Sequence, residues 1–337
     1  MTSFAVRPAM VPVSRRVRAY FAPVNRSSET PSIFDPGKYG AFPLDSPPAP
    51  WVDLGWIDHF QRVSLTPTEP LRTGVRAAAA AQFRGPLDAR VEFDFREWGK
   101  LQMALAGGSE HMNVLASDPS AALQPSGGAA LPAVAVLPAS SATEVIVGAG
   151  SVSTFSVGDI IAVDADYQQQ TGYVGSGISA AYVNNPADVN RDTNYVRRVT
   201  FNLGRVAQLT ATSLLLAQPL LGGAPQSGWG IQKVLAFVDR EGGSFFQEWS
   251  ALFIAEEDSG GRICFHYPRL QPVSSLRQTG TNVPTPFEKE QAIEIAKPIT
   301  TVALHAAFIA MPYADVNDGQ LAVCYRSYFP TAMAALY

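Results

Sequence analysis

The residues best suited to acid–base or metal chemistry in this 337-residue chain are four histidines and two cysteines. They are His59, His111, His266, His305, Cys264 and Cys324. No histidine has another histidine or a cysteine at metal-ligand spacing. This scatter indicates that the histidines are structural. In a reducing compartment the two cysteines are expected to be small apolar thiols rather than a disulfide.

Two groups of carboxylates raise the question of a cation site, because hard cations prefer several carboxylate oxygens. Asp159, Asp164 and Asp166 border a predicted strand, whereas residues 256–258 fall at a predicted hairpin tip. Solvated loop charge explains both groups. The glycine-rich phosphate loops, the nucleophile elbow and the common zinc signatures are also absent from the sequence. We therefore expect no enzyme, no cofactor and no metal, and we rank a β-rich hydrolase last.

Composition indicates a folded protein rich in turns. The chain is 47% hydrophobic and 16% charged, and it contains 27 Gly and 26 Pro. So many turn-forming residues favour short strands over long helices. The formal net charge of −4 provides no general attraction for nucleic acid. Prolines and arginines interrupt every apolar run near the N-terminus, so we expect cytoplasmic synthesis and no membrane association.

The sequence divides into four parts by composition and periodicity. The first 28 residues have five arginines and no acidic residue, and six prolines follow before residue 51, which predicts an arm and a long loop. This arm is either a solvated tail or a segment that orders against a neighbouring subunit. A central part with three β-rich runs is predicted to be a small inserted barrel or sandwich. The four parts span residues 1–50, 51–138, 139–227 and 228–337.

The second and fourth parts are predicted to be mainly strand. Val91, Phe93 and Phe95 alternate with charged residues, as in a half-buried strand. Residues 97–106 have helical spacing and end at two glycines, and residues 258–261 have hairpin-turn chemistry. Several extended runs exceed the usual strand length, which is typical of hairpins that leave the domain body. The two parts are either tandem copies or halves of one domain.

Several strings in these two parts resemble the major tail tube proteins of long-tailed bacteriophages, of the siphophage type. They are PWVDLGWIDHF, ARVEFDFREWGKLQMALAGG, DREGGSFFQEWSALF, GGRICFHYPRLQ and CYRSYFP. The resemblance implies a mainly β fold: a tail-tube-like β-sandwich with long hairpins and one short flanking helix. The hairpins of that family close into an inner barrel when subunits form a ring. The predicted inserted module, residues 139–227, would then decorate the tube exterior.

The resemblance also implies a function as a structural virion protein. Its copies would form rings, stacked into a hollow tube that conducts DNA to the host cell. Hexameric rings are expected for one composite domain, and trimeric rings for tandem copies. The implied partners are further copies, the tape-measure protein, the tail-terminator protein and DNA in passage. The implied location is the virion tail, after assembly in the host cytoplasm.

A tube of this kind should not hold the DNA that it conducts, because each phosphate contact adds affinity. The candidate barrel hairpins pair residues 52–66 with 71–95 and residues 262–270 with 287–310. Their candidate lumen-lining or inter-subunit residues are Glu92, Asp94, Glu288, Glu290, Glu294 and Lys297. The candidate inter-ring arm residues are Arg15, Arg16 and Arg18.

The main alternative function is a β-rich virion or surface module that recognises a glycan or a receptor. Exposed aromatic residues in loops favour such binding. The long central loop carries Tyr167, Tyr173, Tyr182 and Tyr195.

Overall fold

The computed structural model describes residues 14–25, 28–73, 78–116, 131–164, 200–240, 248–257, 260–273, 278–282 and 300–330. The chain forms two compact units. The first unit comprises residues 1–24, 31–108 and 247–337, and the second comprises residues 25–30 and 109–246. The fold is mainly β, as predicted.

The first elements are β1 (Ser14–Pro23), α1 (Pro36–Tyr39), β2 (Val52–Leu65), β3 (Thr68–Thr73), β4 (Ala78–Arg84), β5 (Asp88–Phe95) and α2 (Lys100–Gly107). They are followed by β6 (Glu110–Leu115), β7 (Val134–Ala135), β8 (Glu144–Ile146), α3 (Ala149–Val152), β9 (Ile160–Asp164), β10 (Leu203–Leu209), β11 (Ser213–Leu216) and β12 (Gly230–Arg240). The last are β13 (Trp249–Glu257), β14 (Arg262–Pro272), β15 (Gln278–Asn282), β16 (Thr300–Ala310), β17 (Tyr313–Ala314), β18 (Leu321–Ala322) and β19 (Tyr325–Phe329).

Six strands of the first unit close into an antiparallel barrel. Their order around the barrel is β1, β2, β5, β16, β14 and β13, and β13 pairs again with β1. The second and fourth parts of the sequence therefore build one sheet, because β5 from one pairs with β16 from the other. The tandem-copy alternative is wrong. This barrel closes within a single chain, because β13 pairs with both β14 and β1.

Aromatic rings fill the barrel interior. The ring centroid of Phe21 lies 6.5 Å from that of Phe93, 6.4 Å from Trp249, 6.0 Å from Phe253 and 5.6 Å from Phe308. These five side chains come from four of the six strands and are almost completely buried. Four of the six wall strands thus contribute to one shared core within a single chain.

Residues 14–23 are a strand of this barrel, so the predicted N-terminal arm is wrong here. Strand β1 pairs with β13 along one edge and with β2 along the other. Phe21 faces the interior, whereas Tyr20 lies under the segment that follows β1, and both are fully buried. A strand buried on both faces has a nearly continuous apolar run. The alternation that marks a half-buried strand is therefore missing from this sequence.

Residues 31–51, which we call the strap, cover the outer side of the barrel. Phe34, Phe42 and Trp51 of the strap pack in one apolar cluster with Tyr20 of β1. The Tyr20 hydroxyl donates a hydrogen bond to the Leu44 carbonyl oxygen at 2.7 Å. The proline-rich part of the predicted arm is therefore packed on its own chain.

The second unit is an inserted antiparallel β module. Its strand order is β6, β12, β9, β10, β11 and β8, with β7 also paired to β12. The strands surround one apolar cluster that includes Val145, Ile161, Val206, Leu214 and Ile231. The module extends beyond the predicted residues 139–227 because β6 pairs with β12. This pairing joins residues on both sides of those boundaries.

Three local predictions are confirmed. In β5 the side chains of Val91, Phe93 and Phe95 are buried, and the intervening ones are more exposed. Helix α2 ends before Gly108, which has a left-handed φ of 60°. Strands β13 and β14 form the predicted antiparallel hairpin. None of the described helices is long and apolar enough to cross a membrane.

Candidate functional site: an assembly surface

Strands β2, β3, β4 and β5 form one long hairpin, which we call the first hairpin. Leu65 lies opposite Asp88 near the end of the barrel wall, and the pairing resumes with Thr68 opposite Arg84. The Gly85 N–H bridges the junction by donating to the Pro67 carbonyl oxygen at 2.7 Å. The predicted hairpin is confirmed, except that residues 71–73 belong to the outgoing strand.

Strands β14, β15 and β16 form the second hairpin. Leu270 lies opposite Ala310, and the pairing continues with Gln278 opposite Leu304 and Asn282 opposite Thr300. Of the predicted pairing of residues 262–270 with 287–310, the described residues show only Leu270 opposite Ala310, because residues 262–266 pair with β19. Its return strand is described from residue 300 onward.

The two hairpins project from opposite ends of the barrel. They are neighbours because β5 pairs with β16, with Arg90 opposite Ile309 and Phe95 opposite Leu304. The first hairpin runs out past Asp88, at the Ile309 end of this pair. The second hairpin runs out past Leu304, at the Phe95 end.

The projecting part of each hairpin is a two-stranded ribbon. The first ribbon comprises β3 and β4, and the second comprises β15 and residues 300–303 of β16. Within the described residues, neither ribbon pairs with any other strand. Each ribbon therefore presents unpaired backbone N–H and C=O groups along its edges, and such edges bind further strands.

Large apolar side chains are exposed near the base of the first ribbon. Val63 is 57% exposed, Leu65 61%, Leu87 46% and Ile309 39%. Val63 and Ile309 stand on either side of Arg90 in one cross-strand row of the outer sheet face. Arg90 therefore separates two exposed apolar side chains, and Leu65 and Leu87 add exposed apolar surface near the ribbon.

Asp94, a predicted lining residue, lies at the other end of the same outer face between two histidines. Its Oδ2 is 2.8 Å from Nδ1 of His59, and its Oδ1 is 2.8 Å from Nδ1 of His305. A register shift in β2 between Asp58 and Gln61 accompanies a left-handed φ of 53° at His59. Both carboxylate oxygens of Asp94 thus have partners. No local pattern links these three strands, so the cluster could not be predicted from the sequence.

The remaining charges of this outer face are partly paired. The Arg96 Nε donates to an Asp58 carboxylate oxygen at 2.7 Å, and this bond lowers the pKa of Asp58. Arg90 pairs with Asp88 at 3.1 Å. Glu92, the other predicted lining residue described, is exposed on β5. The face is mildly negative because it carries four carboxylates and two guanidiniums. They are Asp58, Asp88, Glu92 and Asp94, and Arg90 and Arg96.

The other predicted lining residues lie outside the described residues. They are Glu288, Glu290, Glu294 and Lys297. The tyrosines of the alternative binding function, at positions 167, 173, 182 and 195, lie outside them as well. The structure therefore places only Glu92 and Asp94 of the predicted lining set.

The arginines predicted for an inter-ring arm belong to β1. The Arg18 Nε donates to Asp53 Oδ1 at 3.0 Å, and this bond raises the pKa of Arg18. The guanidinium carbons of Arg18 and Arg16 lie 5.3 Å and 5.9 Å from the Trp56 ring centroid. Arg15 is in the same strand. Arg16 and Arg18 thus contact their own chain. The prediction that they belong to a free inter-ring arm is wrong.

The Asp-Leu-Gly string of the resemblance has a structural reason. Asp53 accepts the backbone N–H of Gly55 at 2.9 Å, and Leu54 is buried. Gly55 has a φ of 84°, where the pairing of β2 with β1 shifts by one residue. Glycine is suited to this bulge because it adopts positive φ without a steric penalty.

Replacing Gly55 with alanine should therefore lower the free energy of unfolding by about 1–2 kcal/mol, the cost of a left-handed L-residue. The backbone is the cause, since an added Cβ would meet nothing nearer than Glu97 at 3.6 Å. Urea denaturation would measure the change. Gly150→Ala is the matched control, because its Cβ has open space and its φ is not left-handed. Equal losses in the two variants would contradict the bulge explanation.

The described residues contain no group of three or more His, Cys, Asp or Glu placed to hold a metal ion. Cys264 and Cys324 are both free thiols. Burial raises the pKa of the Cys264 thiol to about 12, so it stays protonated at neutral pH.

No protein-family model matches the chain, and a search of curated proteins finds no match. Function must therefore be inferred from the hairpins and the outer sheet face themselves.

Proposed function

We propose that this chain is a structural subunit whose copies assemble into rings, stacked as a hollow tail tube that conducts DNA. The observation that carries the proposal is the pair of ribbons extending beyond a barrel that is already closed. Because the ribbons do not complete the barrel, their edges are suited to neighbouring copies. Exposed ribbon edges promote uncontrolled association unless assembly uses them.

The composite barrel supports hexameric rather than trimeric rings. Each chain contributes one such domain, since both sections of the sequence share a single sheet. By the same resemblance, the tape-measure and tail-terminator proteins are the proposed partners, and the virion tail is the proposed location.

The mildly negative outer face of the first hairpin suits the inside of a DNA conduit. Two of its carboxylates are paired with arginine and a third with two histidines. Glu92 is a further exposed acid of β5. Such a wall would repel phosphate weakly. It would also displace few of the counterions bound to DNA, which is the main source of affinity for DNA, so DNA would pass without being held.

Negative-stain microscopy and sedimentation of the purified full chain test the assembly. Hollow tubes of constant width built from rings are the expected result. A protein that stays monomeric when concentrated would overturn the proposal. Monomeric particles that bind glycans would instead favour the recognition module.

Tubes of Glu92→Lys protein should retain at least tenfold more DNA at low salt when they assemble in its presence, because the change adds positive charge in every subunit. We expect the retained DNA to survive nuclease digestion, and wild-type tubes to retain almost none. Asp45→Lys is the matched charge reversal, because Asp45 is an exposed residue of the strap. Nuclease-sensitive DNA on Glu92→Lys tubes would show that Glu92 faces outward.

A further inference from the structure

We propose that His59, Asp94 and His305, which we call the histidine cluster, make the hold of the outer sheet face on DNA depend on pH. The face lets DNA pass at neutral pH and binds its phosphate groups once both histidines carry a proton. This inference rests on the proposed function and adds a regulation of the same face. The ligand is the phosphate backbone of duplex DNA.

The hydrogen bonds of the histidine cluster fix where each ring binds a proton. Nδ1 of His59 and Nδ1 of His305 each lie 2.8 Å from a different oxygen of Asp94. An ionised carboxylate only accepts hydrogen bonds, so each Nδ1 is the donor. Nε2 of each neutral ring then has the lone pair that binds a proton from solvent. Protonation therefore keeps both hydrogen bonds to Asp94 and needs no rearrangement of the three strands.

Two added protons reverse the charge of the histidine cluster. With neutral rings its formal charge is −1, from the Asp94 carboxylate, and with both rings protonated it is +1. The whole outer face, with its four carboxylates and two guanidiniums, changes from −2 to 0. Added positive charge favours phosphate binding, because each neutralised phosphate releases counterions. Every copy in a ring repeats this change.

The other charged residues on the strands beside the histidine cluster are acids and arginines. They are Asp53, Asp58 and Arg62 on β2, Asp88, Arg90 and Glu92 on β5, and Arg96 and Glu97 just after β5. Strands β15 and β16 add no further charged residue. Exposed carboxylates change charge near pH 4 and guanidiniums above pH 12, whereas histidines do so between about pH 5 and 8. Between pH 7.5 and 5.5 the charge on these strands therefore changes at the two histidines.

The other two histidines of the chain are shielded from solvent. His111 is 1% exposed and His266 is 2% exposed. Burial also lowers the pKa of His266 to about 4. By contrast, the side chain of His59 is 78% exposed and that of His305 is 26% exposed. Mild acidification thus adds positive charge mainly at the histidine cluster.

An irregularity of β2 places His59 beside Asp94. Asp58 lies opposite Asp94, so in an unshifted register His59 would lie opposite Phe93, whose side chain is inside the barrel. The register shift after Asp58 and the left-handed φ of 53° at His59 instead bring this ring onto the outer face. Left-handed backbone is unfavourable for residues other than glycine, and such strain is concentrated at functional sites.

Retention of DNA at two pH values tests the proposal. Wild-type tubes assembled at low salt with short fluorescent duplex DNA would be sedimented and resuspended at pH 5.5 or pH 7.5. We expect at least fivefold more DNA to stay with the tubes at pH 5.5, because the added charge binds phosphate. The double variant His59→Asn, His305→Gln should show less than a twofold difference, and asparagine suits the left-handed backbone at position 59. His266→Gln is the matched control and should respond as the wild type does.

A permanent charge keeps the proposal testable if the double variant does not form tubes. His59→Arg places a positive charge that is independent of pH at the exposed end of the histidine cluster. At pH 7.5 its tubes should retain at least threefold more DNA than wild-type tubes. Asp45→Asn adds the same unit of charge on the exposed strap, and its retention should stay within twofold of wild type.

The outcomes separate this inference from the proposed function. Wild-type protein that forms no tubes would overturn both. Where tubes form and Glu92→Lys tubes hold DNA, equal retention by wild type at the two pH values would overturn the pH dependence alone. A response that persists in the double variant, or equal gains in His59→Arg and Asp45→Asn, would overturn the assignment to the histidine cluster.

Discussion

Replacing Phe21 with alanine should lower the free energy of unfolding by about 3–5 kcal/mol, the range for deleting a large aromatic side chain from a core. Phe21 is 0% exposed, and its ring contacts the rings of Phe93, Trp249, Phe253 and Phe308. The strands that carry these rings are separate in sequence, so the cavity would weaken several wall contacts together. Guanidinium denaturation followed by tryptophan fluorescence would measure the loss, since Trp249 lies in the same core.

Tyr328→Ala is the matched control for Phe21→Ala. Tyr328 is an aromatic residue of the same unit, but its side chain is 45% exposed. We expect that variant to lose less than about 1 kcal/mol, as is usual away from the core. A similarly small loss for Phe21→Ala would contradict the placement of β1 in the barrel wall.

The first unit should lose stability as the pH falls from about 6.5 to about 4, because His266 is buried in its neutral form. His266 lies under the strap, where its Nε2 donates to the Ser32 carbonyl oxygen at 3.2 Å. Burial lowers the pKa of His266 to about 4, against about 6.5 for an exposed histidine. In this pH range the unfolded chain binds a proton that the folded chain does not. Unfolding therefore becomes easier on acidification, by up to about 3 kcal/mol.

His266→Gln should remove this contribution, so its stability should vary less with pH than that of the wild type. Urea denaturation at several pH values between 4 and 7.5 would give the difference. His59→Gln is the matched control, because the His59 side chain is 78% exposed. The same pH dependence in His266→Gln and wild type would contradict the assignment.

The sequence predicted those elements whose signals are local. The alternation in β5 identified its buried face, because successive side chains of a strand point to opposite sides. The two glycines after residue 106 marked the end of α2, and the turn residues near 260 marked the β13–β14 hairpin. These features depend on a few neighbouring residues.

The packing of the strap was predicted from the sequence only in part. One of the two alternatives for residues 1–50 was a segment that orders against another surface, and apolar rings such as Phe34 and Phe42 are rarely left in water. The sequence did not identify that surface. It is the outer side of the same chain's barrel, where Tyr20 and Trp51 complete the cluster.

The candidate site was predicted only in part. The sequence placed two long hairpins and assigned Glu92 and Asp94 to one polar strand face, which agrees with their positions on β5. The histidine partners of Asp94 could not be predicted. His305 is 211 residues away in the chain, and His59 depends on an irregular register in β2.

The amino-acid sequence by itself determined that this protein is built from strands, where several of them turn and which face of β5 is buried, because these properties follow from the spacing of nearby side chains. Only the tertiary structure decided that β1 is a wall strand, that two distant sections share one barrel, and that the ribbons project at opposite ends. Each of these features is a pairing between distant segments. Such a pairing depends on the register and packing of both partners, which neither segment specifies alone.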